Sequence, residues 1–146
     1  MEELRCLLDT PTLRVSYDTT NQWLYNQWQG VHDSESVRQA SLRIFDCLAR
    51  QPCVKMLSDH SLVQGQWPAT TAPAMRQNLE RLGVYGIACF AWVPSADYDN
   101  RLSMEWVLRL TATPVAGIFN DVASAYEWLQ HCPVAAAYQR MQRAGE

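Results

Sequence analysis

The sequence has little positive charge and no long apolar run, and each absence excludes a class of protein. Twelve Lys and Arg stand against 15 Asp and Glu, for a net charge of -3. The arginines are scattered, so no basic stripe is available to neutralise a phosphate backbone, and nucleic acid is not expected as a partner. No apolar stretch reaches the roughly 18 residues that cross a bilayer, and the Met1–Glu3 start is acidic where a signal peptide is basic. We therefore expect a cytoplasmic protein that does not span a membrane.

Cysteine pairs of the kind that hold zinc or build a disulfide framework are also missing. The five cysteines are an odd number and include no C-x-x-C pair, which argues against both uses and favours reduced thiols. Cys89 lies in an apolar run and is expected to be a small buried hydrophobic residue, with a nucleophilic role as the alternative.

No group of residues has the spacing of a catalytic, metal or cofactor site. The G-x-S-x-G elbow of hydrolases is absent, and His32 and His131 have no carboxylate or thiolate at metal-ligand spacing. The Gly83–Gly86 segment enters a predicted strand, whereas nucleotide-binding loops open a helix. The Ser58–His60 stretch holds Ser, Asp and His, but neighbours along an extended strand point to opposite faces and do not form a triad. We predict a protein that is not an enzyme and has no metal or cofactor.

Apolar spacing instead predicts an ordered series of strands and helices. Alternation over 13–18 and an aromatic run over 23–30, joined by turn residues 19–21, predict an antiparallel hairpin. The further predictions are strands at 53–58, 84–93 and 115–119, and helices at 34–50, 74–82 with Gly83 as its stop, 102–112 and 121–131. Asp33 or Ser34 is expected to cap the first helix, and Asn120-Asp121 is expected to cap the last one.

This order predicts an α/β fold with a single mixed β-sheet of about five strands, in which an N-terminal β-hairpin is followed by βα repeats. Two-layer and three-layer arrangements both satisfy the pattern. The strand at 84–93 is nearly unbroken in its apolar character and is expected in the middle of the sheet. A chain of 146 residues suits one domain, which we place at 13–131, after an N-terminal lead at 1–12 and before a tail or short helix at 132–146.

The carboxyl ends of the parallel strands are the expected working surface, because ligands and partners of open α/β sheets dock there. The candidate partner or ligand surface comprises Ser58, Asp59, His60, Ser61, Trp67, Trp92, Ser95, Asn120 and Asp121.

The aromatic hairpin is a second candidate surface. If Leu24 and Trp28 face the core, Trp23 and Tyr25 face the opposite side. That side meets solvent, a partner or a covering helix, and we name Trp23 and Tyr25 as a candidate self-association face for a homodimer.

Several motifs resemble the small bacterial STAS-like proteins, also called SpoIIAA-like, which are related in fold to anti-sigma factor antagonists. These motifs are Trp23-Leu24-Tyr25…Trp28-x-Gly30, a third strand that ends in Asp59, a Trp67-Pro68 loop before a helix, and Phe119-Asn120-Asp121…Ala125…Glu127-Trp128-Leu129. The resemblance covers about residues 13 to 131 and implies a STAS/SpoIIAA-like fold. It also implies a non-enzymatic regulatory, signalling or protein-interaction module, with binding of a small apolar ligand or lipid as the alternative.

Anti-sigma antagonists carry a phosphorylatable serine after the third strand. The nearest positions here are Ser58 and Ser61, without the Asp-Ser-Ser-Gly type of sequence. We expect these two side chains to close a strand end and cap a turn, with phosphorylation of Ser58 or Ser61 as the alternative.

Overall fold

Six strands of the described residues form one sheet, and helices cover it. The computed structural model describes residues 3–65, 71–95, 105, 108, 109 and 114–134, with the backbone alone at 71–74. The strands are β1 (Leu4–Asp9), β2 (Leu13–Asp18), β3 (Trp23–Val31), β4 (Lys55–Gln64), β5 (Cys89–Val93) and β6 (Val115–Ile118). The helices are α1 (Ser34–Arg50), α2 (Thr71–Val84) and α3 (Val122–His131). Residues 105, 108 and 109 are helical as well, inside the helix predicted at 102–112.

The sheet is mixed, as predicted, and its strands lie side by side in chain order. β1, β2 and β3 pair antiparallel, and β3, β4, β5 and β6 pair parallel. The strand number is six where about five were predicted, because β1 lies in the segment 1–12 that was assigned as a lead. β1 is an edge strand whose residues are exposed or half-buried, so its sequence lacks the alternation that a strand with one buried face displays.

Helices cover both faces, so the three-layer arrangement is the one that forms. Leu24, Met56 and Phe90 belong to the core under α1 and α2, whereas Leu57 and Ala91 belong to the core under α3. β3 and β4 are the two middle strands, and β5 lies second from the edge. The prediction that β5 is central was wrong because a strand covered on both faces reads as apolar wherever it lies in the sheet.

The helix ends are fixed by side-chain caps and by one glycine. At α1, the Asp33 carboxylate accepts from the Ser36 N–H at 2.8 Å, and the Ser36 hydroxyl accepts from the Asp33 N–H at 2.8 Å. This capping box confirms Asp33 as the cap.

Gly83 was predicted to stop α2 but lies within the helix. The turn after α2 comes at Gly86, where φ is 102°. No helix among the described residues has the length and apolar character that crossing a membrane requires.

β4 continues well past its predicted end, and this difference decides where the site lies. The strand was predicted over 53–58 but spans Lys55–Gln64. Gln27 pairs with Asp59 and Gln29 with Leu62, so β4 carries one extra residue there, which is a β-bulge. Buried polar residues within β4 gave the sequence the appearance of a strand end.

Candidate functional site

A cavity of about 50 Å³ lies between the sheet and helices α1 and α2. We call it the sheet–helix cavity. Its volume is enough for about three to five water molecules. Most of its lining is apolar, and its described polar residues are Asn26 of β3, Ser58 and His60 of β4, Ser41 of α1 and Asn78 of α2.

Strand register brings the first two of these polar side chains together. Asn26 and Ser58 are paired across β3 and β4, and Ser58 is paired with Trp92 of β5. Paired residues point to the same face of a sheet, and here that face is the one under α1 and α2. The floor of the cavity therefore presents the Asn26 amide next to the Ser58 hydroxyl.

Asn26 is the more unusual of these two residues. It is 1% exposed, and neither its Nδ2 nor its Oδ1 has a hydrogen-bond partner among the described residues. A buried polar group left without a partner costs about 1–3 kcal/mol. Buried polar side chains without a hydrogen bond are rare in protein cores, so the presence of Asn26 at this position needs a physical reason.

His60 is held between two tryptophans and is kept neutral. Its ring stacks on Trp28 with centroids 4.9 Å apart and meets Trp92 edge-on at 5.6 Å. Its Nε2 lies 3.1 Å from the Ser58 hydroxyl. Burial, and secondly the nearby His32, lowers the pKa of His60 to about 3. At neutral pH the ring is an uncharged hydrogen-bonding group.

The Ser58–His60 pair has the contact of a nucleophile and its base but not the chemistry. A general base works best when its pKa is near the operating pH, and His60 with a pKa of about 3 is far below it. Asp59 lies on the opposite face, where its carboxylate accepts from the Tyr25 hydroxyl at 3.3 Å and from the Ser61 N–H at 2.9 Å. The pair is suited to hydrogen bonding, and the three neighbours do not converge, as their alternation predicts.

A polar contact joins the two helices that form the wall of the cavity. Asn78 of α2 donates through Nδ2 to the Ser41 hydroxyl of α1 at 3.3 Å. Both residues are half-buried, so this contact lies nearer the surface than Asn26. The contact lies on the side of the cavity where α1 and α2 meet.

The predicted strand-end surface divides between the two faces of the sheet. Ser58, Asp59, His60 and Trp92 are each at most 7% exposed, so these four members of the predicted partner or ligand surface lie inside the fold, and Ser58 and His60 line the sheet–helix cavity. The reason is that β4 extends to Gln64 and places them inside the sheet. The remaining members are Ser61, Asn120 and Asp121, which are exposed, Ser95, which is half-buried, and Trp67, which lies outside the described residues.

Asp121 has a structural role at the start of α3. Its carboxylate accepts from the Ser124 N–H at 2.7 Å, which lowers the pKa of Asp121. This confirms the cap predicted for the last helix.

The candidate self-association face is covered by α3. Trp23 is 2% exposed and packs edge-on against Tyr126 of α3 with centroids 5.1 Å apart. Tyr25 is half-buried and bonded to Asp59. Of the three alternatives for this side of the hairpin, the covering helix is the one that occurs, and Trp23 is not available to a partner.

Three polar residues of the cavity, Asn26, Ser41 and Asn78, were not predicted as site residues, although the sequence held a signal for Asn26. Asn26 lies between Leu24 and Trp28, which were both predicted to face the core. Alternation therefore places a polar amide on the buried face. Asn78 offers no comparable signal, because polar residues are ordinary on one side of an amphipathic helix.

Cys89 is fully buried at the start of β5, as predicted for a small hydrophobic residue. Burial, with a smaller contribution from the neighbouring Cys132, raises the pKa of its thiol. Within the described residues, no three His, Cys, Asp or Glu side chains are grouped in a way that could hold a metal ion.

The comparisons with known proteins give a likeness to solved structures and no match among family models or curated proteins. The chain is similar to the crystal structure of an uncharacterized protein from the DUF3478 family with a SpoIIAA-like fold from Shewanella loihica PV-4. The identity is 16%, the match covers 88% of this chain and 95% of that chain, and the TM-score is 0.49.

Proposed function

We propose that this chain binds a small, largely apolar molecule in the sheet–helix cavity and does not change it chemically. The observation that carries the proposal is Asn26, an amide 1% exposed whose two polar atoms have no partner among the described residues. A ligand with a polar group would satisfy that amide and offset its cost. The neutral Ser58–His60 pair beside it supports binding over proton transfer.

The apolar lining supports the same function. Phe45, Met56, Met75, Leu82 and Phe90 line the cavity. A mainly apolar and aromatic wall with a few placed polar groups is typical of small-molecule sites. The two methionines have flexible side chains that adapt to the shape of an occupant. Because the volume is about 50 Å³, the bound part of the ligand is expected to be no larger than a short alkyl chain.

The regulatory or protein-interaction role implied by the resemblance stays a hypothesis, as do a homodimer and a cytoplasmic location. Four of the nine residues of the predicted partner or ligand surface are buried, and two of these four, Ser58 and His60, line the sheet–helix cavity, so ligand binding has the stronger support.

In the first test, the isotopically labelled chain is titrated with pentan-1-ol, and the backbone amide chemical shifts are measured by NMR at each addition. We expect saturable shifts at cavity residues such as Asn26, Ser58 and Asn78, and small ones in α3. In a Val37→Phe variant we expect the apparent affinity to fall by about tenfold or more, because Val37 lines the cavity and is 6% exposed, so the larger ring must occupy cavity space.

The matched control is Leu42→Phe, which introduces the same ring on the solvent side of α1, where Leu42 is 37% exposed. This variant should bind pentan-1-ol like the parent. Shifts that never saturate, or that centre on α3, would contradict the proposal, as would equal affinities in the two variants once both spectra show a folded chain.

A further inference from the structure

We infer that the sheet–helix cavity selects ligands whose polar end is uncharged and both donates and accepts hydrogen bonds, a carboxamide above all, and that it rejects carboxylates. This inference rests on the proposed function and names the ligand class of the same site.

The chemistry of Asn26 sets the first requirement. Its side chain offers a carbonyl acceptor and an N–H donor next to each other, and both lack a partner among the described residues. A carboxamide presents the complementary pair, so two parallel hydrogen bonds form at once. An alcohol can also supply one donor and one acceptor, from a single oxygen. An ester or a ketone supplies an acceptor only and leaves the Asn26 carbonyl unsatisfied.

Ser58 and His60 extend this requirement along the floor. Ser58 is the register partner of Asn26 and shares a hydrogen bond with His60. A hydroxyl can rotate to donate or to accept, so Ser58 can donate a hydrogen bond to the carbonyl oxygen of a bound amide or accept one from its N–H.

The absence of charge in the lining sets the second requirement. None of the described lining residues is Lys, Arg, Asp or Glu, and His60 is neutral at pH 7. Moving a carboxylate from water into such a site costs much more than moving an amide of the same shape, because no cation compensates the loss of hydration. The two ligand types are therefore expected to differ strongly in affinity even though they are almost identical in size.

The test compares pentanamide with pentanoate at pH 7.5, by chemical-shift titration of the parent chain. Pentanamide is expected to bind at least about tenfold more tightly. The second arm is Asn26→Leu, which keeps the volume and removes both polar atoms. In this variant pentanamide affinity should fall about tenfold or more, while binding of n-butane should be equal to that of the parent or better. A Gln64→Leu variant, which removes an amide at an exposed position, should behave like the parent.

The outcomes separate this inference from the proposed function. If pentanoate binds as tightly as pentanamide, or if only n-butane binds, the inference is overturned and the cavity remains a site for apolar molecules. If a folded Asn26→Leu chain keeps the affinity for pentanamide, the inference is likewise overturned. If none of pentan-1-ol, pentanamide and n-butane binds, the proposed function itself fails. The ligand comparison uses the parent chain, so it decides the question even where the variant does not fold.

Discussion

Between pH 7 and pH 5, the chain is expected to lose about 2 kcal/mol of its free energy of unfolding through His60 alone. The folded chain holds His60 with a pKa of about 3, against an ordinary value of 6.5. Between these two values the unfolded chain binds a proton that the folded chain does not. The contribution of neutral His60 is therefore complete above pH 6.5 and is lost as the pH falls toward 3.

Urea denaturation at pH 7, 6 and 5, followed by tryptophan fluorescence, measures this loss. A His60→Phe variant keeps a ring between Trp28 and Trp92 and removes the titration, so its stability should fall by about 2 kcal/mol less than that of the parent over the same range. His131→Phe is the control, because His131 is exposed on α3, and it should keep the slope of the parent. Equal slopes for the parent and His60→Phe would mean that His60 is not buried in its neutral form.

The elements that sequence predicted well are those with one buried face and one exposed face. α1 is such an element, because its apolar stripe follows a cap at Asp33. The first half of β2 shows the same contrast, since Leu13 and Val15 are buried and Arg14 between them is exposed. In both, the spacing of apolar and polar residues along the sequence shows which face is buried and which is exposed. β4 lacks that contrast, because Ser58, Asp59 and His60 are all buried, on alternating faces. A pattern method reads such a run as a strand end.

The candidate site could be predicted only in part, for a reason of topology. Ser58 and His60 were named from the sequence, but as members of a strand-end surface. Their actual neighbour is Asn26, which reaches Ser58 through the β3–β4 register. Residue order alone does not specify which residues of two parallel strands lie opposite each other when a helix of 17 residues separates them. Alternation placed Asn26 toward the core, and only the register placed it in the cavity.

The free-energy cost of burying the Asn26 amide without hydrogen-bond partners in the described part of the chain supports a function for this position. A leucine of similar volume would satisfy the apolar surroundings of this position, whereas the amide leaves two polar atoms without partners among the described residues. Local departures from good packing chemistry concentrate at functional positions. The rest of the core under α1 and α2 is rich in Leu, Val, Ile and aromatic residues, so the departure is local.

Replacing Trp23 by alanine is expected to lower the free energy of unfolding by about 3–5 kcal/mol, the range for a large buried aromatic residue. Trp23 is 2% exposed and packs on Tyr126 of α3, so its removal leaves a cavity between the hairpin and that helix. Urea denaturation at neutral pH measures the effect. Leu62→Ala, on β4 at 60% exposure, is the control and should change stability by no more than about 0.5 kcal/mol.

The same substitution separates a structural from a binding role for the aromatic hairpin. A self-association face is exposed in the monomer. If Trp23 belonged to such a face, Trp23→Ala would lower the free energy of unfolding as little as Leu62→Ala does, and it would change the oligomeric state instead. A milder Trp23→Phe variant should stay folded and bind pentan-1-ol with the affinity of the parent, because Trp23 and the sheet–helix cavity lie on opposite faces of β3. Loss of stability together with unchanged binding would place the two faces in separate roles, with α3 stabilising the sheet and α1 and α2 enclosing the ligand.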